Sequence, residues 1–212
     1  DFMNMAKEIK DDIKIMLDLS GTKVRVSSKF EYIYKIYDGE EVYFCGEDKY
    51  DEIKNNTKNM KKKVIPLNIE NKILNQKDYE QIGIKDNTMF FKVIGRRNEL
   101  IKVITVKGGV IRGGKGCNIK NLERRSLPLS EKDKEAIIWG IENNVDIICQ
   151  SFVEGTDNIK EIKTFMSKSA LGEIKAKIWA KIETLNGVNN ISNILNEVDG
   201  IVIGRGDLIP ET

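Results

Sequence analysis

Beyond Pro128 the chain alternates short apolar runs with segments of helical period, and that alternation leaves few folds open to it. Ser130 and Asp133 form an N-cap signal ahead of Ala136, Ile137, Ile138 and Ile141. Val145 to Phe152 follows as a strand. Asp157 is placed to cap a helix whose apolar face is Ile159, Ile162, Phe165 and Met166, and a strand runs from Ile174 to Ile182. A helix over Val188, Ile191, Ile194 and Leu195 then leads to the strand Gly200 to Ile203. Strands and helices in alternation with short links predict parallel βαβ units. One further strand, mostly buried, is predicted at Ile13–Leu19, ending at Asp18 and a Ser20-Gly21 turn. Four such strands are half of what a closed (β/α)8 barrel needs. The expected fold class is therefore α/β: part of a larger barrel, or a smaller open sheet.

Between Val26 and Thr105 the period is two. Tyr32 to Tyr37, the dipeptide Asp38-Gly39, and Val42 to Phe44 predict a hairpin. Met89–Ile94 and Leu100–Val106 flank a turn at Arg96-Arg97-Asn98, and the Lys/Asn-rich stretch from Asp48 to Lys63 predicts a solvated loop. This section is expected to be a small all-β domain.

Composition removes several chemistries. Lys and Arg number 35 against 33 Asp and Glu, and a net charge of +2 neither favours nor opposes nucleic acid. The chain has no histidine, which excludes Ser-His and Cys-His hydrolases and histidine-ligated metals. Cys45, Cys117 and Cys149 are far apart and lack metal-ligand spacing, so free buried thiols are expected. No apolar run is long enough to span a membrane, and the N-terminus carries no secretory signal pattern.

Two apolar runs end abruptly in charge. Lys181 and Glu183 lie two residues apart, so on an extended chain they point to one side. Asp207 follows the next strand, across a helix-length segment and past Gly204 and Gly206. Two acids at neighbouring strand ends suit a divalent cation, and a lysine beside them suits a phosphoryl or enolate oxygen. The alternative, a surface ion pair, fits less well with charges that close apolar strands. Gly204 and Gly206 would admit an anionic ligand close to the backbone. Arg205-Gly206-Asp207 follows a buried strand and no secretion signal, which argues against an adhesion motif. The glycines from Gly108 to Gly116 lack phosphate-loop spacing and are expected to be a linker. Ser151 has no base to activate it, which leaves a substrate-lining hydroxyl or plain packing.

Taken in order, these pieces resemble the pyruvate kinase family. Leu17 to Arg25 resembles LDTKGPEIR, Lys115 to Asn118 resembles KGVN, and Leu127 to Asp133 resembles LPALTEKD. Val145 to Val153 is similar to VDFIAVSFV, Ala180 to Glu183 to AKIEN, and Asp199 to Leu208 to DGIMVARGDLG. The resemblance implies a partial TIM barrel, the A domain, at residues 1–25 and 110–212, with an inserted β-barrel lid, the B domain, at 26–109. It implies phosphoryl transfer from phosphoenolpyruvate to ADP, giving pyruvate and ATP in glycolysis. Lys181 would steady the transferring phosphoryl group and the enolate, and Glu183 and Asp207 would hold Mg2+ or Mn2+. The amides near Gly206 and Asp207, with Ser151, would line the phosphoenolpyruvate site. A cytoplasmic homotetramer is implied, or a plastid-type location should a transit peptide precede these residues, with no nucleic-acid or membrane partner.

Departures from the family pattern carry expectations of their own. Lys23 replaces a common glutamate and Leu19 a threonine, a pairing that resembles the K+-independent type in which Lys23, near Asp18, stands in for the monovalent cation. Ser20, Glu154 and Ile209 also depart, which keeps a non-catalytic homologue as an alternative beside a metal-dependent aldolase or lyase barrel. The RLNFSHG segment, the later threonine segment and the C-terminal domain of the family have no counterpart here. Residues 1–212 alone are expected to be inactive.

Overall fold

The computed structural model describes residues 2–57, 62–85, 87–122, 124–169 and 175–211. In chain order the elements begin α1 (Phe2–Ile9), β1 (Met16–Leu19), β2 (Tyr34–Ile36), β3 (Glu41–Gly46), α2 (Tyr50–Thr57), β4 (Val64–Leu67) and α3 (Asn71–Leu74). Next come β5 (Gln81–Ile84), β6 (Met89–Arg97), β7 (Leu100–Lys107), β8 (Gly109–Ile111), β9 (Cys117–Asn118) and a 3-10 turn at Arg124–Ser126. The rest is α4 (Glu131–Glu142), β10 (Ile147–Gln150), α5 (Thr156–Lys168), β11 (Lys177–Ile182), α6 (Leu185–Asn189), α7 (Ile191–Leu195), β12 (Gly200–Ile203) and α8 (Arg205–Glu211). Two units divide the chain. One holds residues 1–22, 128–208 and 212; the other holds Lys23–Leu127 with Ile209–Glu211.

The first unit is α/β. Its sheet has the order β1-β10-β11-β12, all parallel, with Asp18 opposite Cys149, Cys149 opposite Trp179 and Ala180 opposite Ile201. Parallel strands need crossover helices, and α4, α5 and the α6–α7 pair follow their strands in turn. Leu19, Ile148, Ile178, Ala180 and Ile182 face one way, onto Ile137 of α4, Ile159, Ile162 and Met166 of α5 and Ile194 of α7. The period of two sends Asp18, Cys149, Trp179 and Lys181 to the other face. β1 is shorter and more exposed than the expected Ile13–Leu19 strand. Only Leu19 in it is buried, because Leu17 and Leu19 alone turn to the helix-covered face. The start of the third predicted strand, Ile174, lies outside the described residues, and β11 begins at Lys177.

Local side-chain signals explain the starts of α4, α5 and α6. Ser130 caps α4 by accepting the Asp133 N–H at 3.1 Å, with Glu131 and Asp133 in the first turn against the helix dipole. α5 is capped differently from expectation. Gly155, not Asp157, is its N-cap, and the Asn158 side chain accepts from the Glu154 and Gly155 amides. The helix expected over Val188–Leu195 is two short ones, because Asn190 ends α6, its N–H donating back to the Asn186 carbonyl, and then serves as the N-cap of α7.

The second unit has a six-stranded sheet, β4-β3-β7-β6-β5-β9, and a separate β2–β8 pair. The predicted Tyr32–Phe44 hairpin is not formed. β2 pairs with β8, Tyr34 opposite Ile111, while β3 lies between β4 and β7. The Asp38-Gly39 turn is real but is tied elsewhere, with the Gly39 N–H donating to Thr105 O and the Gly108 N–H to the Asp38 carboxylate. The β6–β7 hairpin forms, turning at Asn98-Glu99, both left-handed as a two-residue hairpin loop requires. The Asp48–Lys63 stretch is no loop at its start. α2 occupies Tyr50–Thr57, with Tyr50 buried and Ile53 against the core, while residues 58–61 lie outside the described residues. The unit is thus mainly β with two short helices rather than all-β. It also takes in residues 23–25 and 110–127, outside the expected 26–109. The Arg25–Gly116 bridge and the β2–β8 and β5–β9 pairings draw those segments in.

No helix among the described residues is long and apolar enough to cross a membrane. Ser130→Ala should lower stability by about 1 kcal/mol, the usual value of such a cap, read as a lower urea midpoint with an unchanged slope.

Candidate active site

The C-terminal ends of β1, β10 and β11 bring four of the expected residues together. Lys181 Nζ donates to Asp18 Oδ2 at 2.9 Å and lies 3.7 Å from Glu183 Oε1. The Ser151 hydroxyl donates to Asp18 Oδ1 at 3.1 Å. Asp18 therefore receives one contact on each oxygen, one from each of two other strand ends. Burial works against the Lys181 ammonium, but the hydrogen bond to Asp18 and the nearby Glu183 carboxylate outweigh it and hold the pKa above the ordinary lysine range. The amine is held charged.

Glu183 is only 2% exposed and accepts the Phe152 N–H on Oε2 at 3.0 Å. Phe152 is left-handed, φ 57°, an uncommon conformation for an aromatic residue that costs on the order of 1–3 kcal/mol. It directs that N–H at Glu183, and its carbonyl accepts from the Thr22 hydroxyl at 3.3 Å. Immediately after Glu183, Thr184 caps α6 through the Gly187 N–H, so the strand ends cleanly at the acid.

Gly206 and Asp207 sit in the first turn of α8. The Gly204 N–H donates to Ile182 O at 3.0 Å, which ties the approach to α8 to the end of β11 beside Glu183. The group close to Gly204 is the Glu183 side chain. A Cβ there would lie 2.4 Å from Glu183 Cγ. Around Gly206 the same space is open. Lys23 lies in the second unit, its carbonyl accepting from Asn68 Nδ2 at 3.4 Å. Of the departing residues, Glu154 is buried and Ile209 exposed.

Sequence reasoning missed two parts. Cys149 lies on the same face between Asp18 and Trp179, and burial, then the Asp18 carboxylate, pushes its thiol up to about 11. Asp133, read only as a helix-start signal, accepts the Ser20 and Gly21 amides at 2.9 and 3.0 Å. A carboxylate inside a helix N-terminus gives no local sign that it also serves a loop more than a hundred residues away.

Among the described residues no three His, Cys, Asp or Glu side chains are grouped to hold a metal ion. A small hard cation needs no such cluster: it takes one or two carboxylates and completes its shell with water and substrate oxygens.

The family model described as pyruvate kinase, barrel domain, matches residues 2–211. A pyruvate kinase of Clostridium perfringens is 30% identical over 211 residues, 96% of this chain and 41% of that protein. One from Debaryomyces hansenii is 32% identical over 198 residues, covering 92% and 38%, and one from Schizosaccharomyces pombe 31% over 198 residues, covering 92% and 37%. This chain spans about two fifths of the length of these relatives.

All three cysteines are buried thiols outside any disulfide, and burial pushes Cys45 up to about 12. Because all three are buried, a chromogenic disulfide reagent should titrate none of them in the native chain and all of them in guanidinium. Fast reaction of any native thiol would contradict the burial of that cysteine.

Proposed function

This chain belongs to the pyruvate kinase family, and we propose that it is the central part of an enzyme that moves a phosphoryl group from phosphoenolpyruvate to ADP. The observation that carries this reading is the Lys181 ammonium, kept charged between Asp18 and Glu183 at the C-terminal edge of a parallel sheet. That edge is where enzymes of the (β/α)8 type place their chemistry. Phosphoryl transfer asks little of a protein except positioning and charge neutralisation.

In this reading Lys181 leaves Asp18 for an oxygen of the transferring group, and afterwards steadies the enolate oxygen. Its charge needs no proton uptake during the step, since the two carboxylates already hold the proton on nitrogen. Glu183 and Asp207 would hold Mg2+ or Mn2+, which when bound supplies further positive charge toward the phosphoryl oxygens. Glu183 is suited to that role because the Phe152 N–H fixes one of its oxygens and so limits its swing. Gly206, with open space around it, leaves the first turn of α8 accessible to the carboxylate of phosphoenolpyruvate. Ser151 acts by orienting Asp18. Lys23 is read as the substitute for a monovalent cation.

A lactate-dehydrogenase-coupled assay of the full-length protein tests these roles. Lys181→Met should lower kcat by about a hundredfold or more, the usual loss for a charge-stabilising group. Glu183→Gln should raise the divalent-ion concentration needed for half-maximal rate. Rates equal to the parent's in both variants would remove the assignments. Residues 1–212 alone should show no turnover. Added K+ should leave the full-length rate unchanged, and strong K+ activation would overturn the role of Lys23.

A further inference from the structure

Asp133 is 2% exposed, and both of its oxygens are engaged by amides of the segment that follows β1: Ser20 N–H on one, Gly21 N–H on the other. Its own N–H is taken by Ser130, so the carboxylate is not the cap of its helix and its oxygens are turned outward to that segment. The segment has little freedom of its own. Gly21 is left-handed, φ 61°, and a Cβ there would lie 2.0 Å from Ser151 O, so the chain is clamped between Asp133 and the end of β10. Two residues before Ser20, the strand carries Asp18, whose carboxylate holds the Lys181 ammonium.

We propose that Asp133 is a positioning residue for the reaction: by fixing the Ser20-Gly21 amides it sets where Asp18 meets Lys181. A neutral amide at this place accepts on one atom only and turns an NH2 toward an N–H. The loop then moves away from α4, Asp18 follows it, and Lys181 loses its strongest partner. Misplacement of a charged group by about an ångström is enough to cost a large factor in rate. Asp133 touches neither substrate nor metal in this account, and the catalytic part rests on the reading of Lys181 given above.

The test uses the full-length protein and two readouts. The first is amine labelling of Lys181, followed by peptide mass spectrometry, which does not depend on activity. Asp133→Asn should raise labelling several-fold, and Ser130→Ala, which weakens the same helix turn but leaves the carboxylate in place, should not. The second is kinetic. Asp133→Asn should lower kcat about tenfold with KM for ADP unchanged, and in an Asp18→Asn background should cost less than about twofold more. Asp133→Glu, which keeps the charge but not the reach, is run alongside and should shift both readouts in the same direction should the amide variant not fold. Unchanged labelling, an equal effect of Ser130→Ala, or independent multiplication of the Asp133 and Asp18 effects would overturn the inference. Raised labelling together with a fully active Lys181→Met would instead leave the positioning intact and remove the catalytic reading of Lys181.

Discussion

The contact on which the first unit's chemistry depends is the 2.9 Å hydrogen bond from Lys181 to Asp18, made across the whole width of β10 by residues 163 positions apart in the chain. It exists only because three strands run parallel in a fixed register. Asp18, Cys149 and Trp179 share one row, and Lys181 stands two residues further along the same face. A slip of one residue in either pairing would turn the acid or the amine into the helix-packed core. The apolar face is therefore what fixes the polar one. Ile148, Ile178 and Ala180 cannot leave the helices without exposing the core, and their neighbours on the opposite face are carried along.

The polar face shows how few groups are needed to make a lysine dependable. Burial alone would release its proton more easily, yet two carboxylates at 2.9 and 3.7 Å reverse the sign. Each carboxylate is in turn restrained by a donor from the same strand end, Ser151 for Asp18 and the Phe152 amide for Glu183. The end of β10 thus contributes no charge of its own but orients both acids, at the expense of one strained residue, Phe152. Strain of this kind persists only where surrounding contacts over-determine it, here a buried acid on one side and the Thr22 hydroxyl on the other.

Much of this was legible in the sequence because it is written locally. The alternation beyond Pro128 carries strand order, Ser130 announces α4, and the abrupt charges after apolar runs mark the edge where function sits. What was not legible depends on partners remote in the chain. Asp38-Gly39 is a good hairpin dipeptide, but nothing near it says that Tyr34 will pair with Ile111 instead of with Val42–Phe44. The helix at Tyr50–Thr57 has too few apolar residues to show a period. It is held by tertiary contacts, with Tyr50 buried and its ring edge-on to Phe30. Asp133 gives an acceptable helix start whether or not its oxygens reach the Ser20-Gly21 amides, so its second task is invisible without coordinates.

The second unit closes on itself where it leaves and rejoins the sheet-bearing unit: Arg25 bridges Gly116, and the Cys117 N–H donates to Val24 O. That closure bears on how the chain reaches its native state. β1 must find β10 across the entire intervening segment, and an open loop of that length would carry a large entropic toll and a slow search. Once the intervening residues have folded around their own core, the two departing chain ends are already neighbours, and the search shrinks to the span of a short tether. A chain that assembles the insertion first therefore faces the smaller search for the Asp18–Lys181 contact.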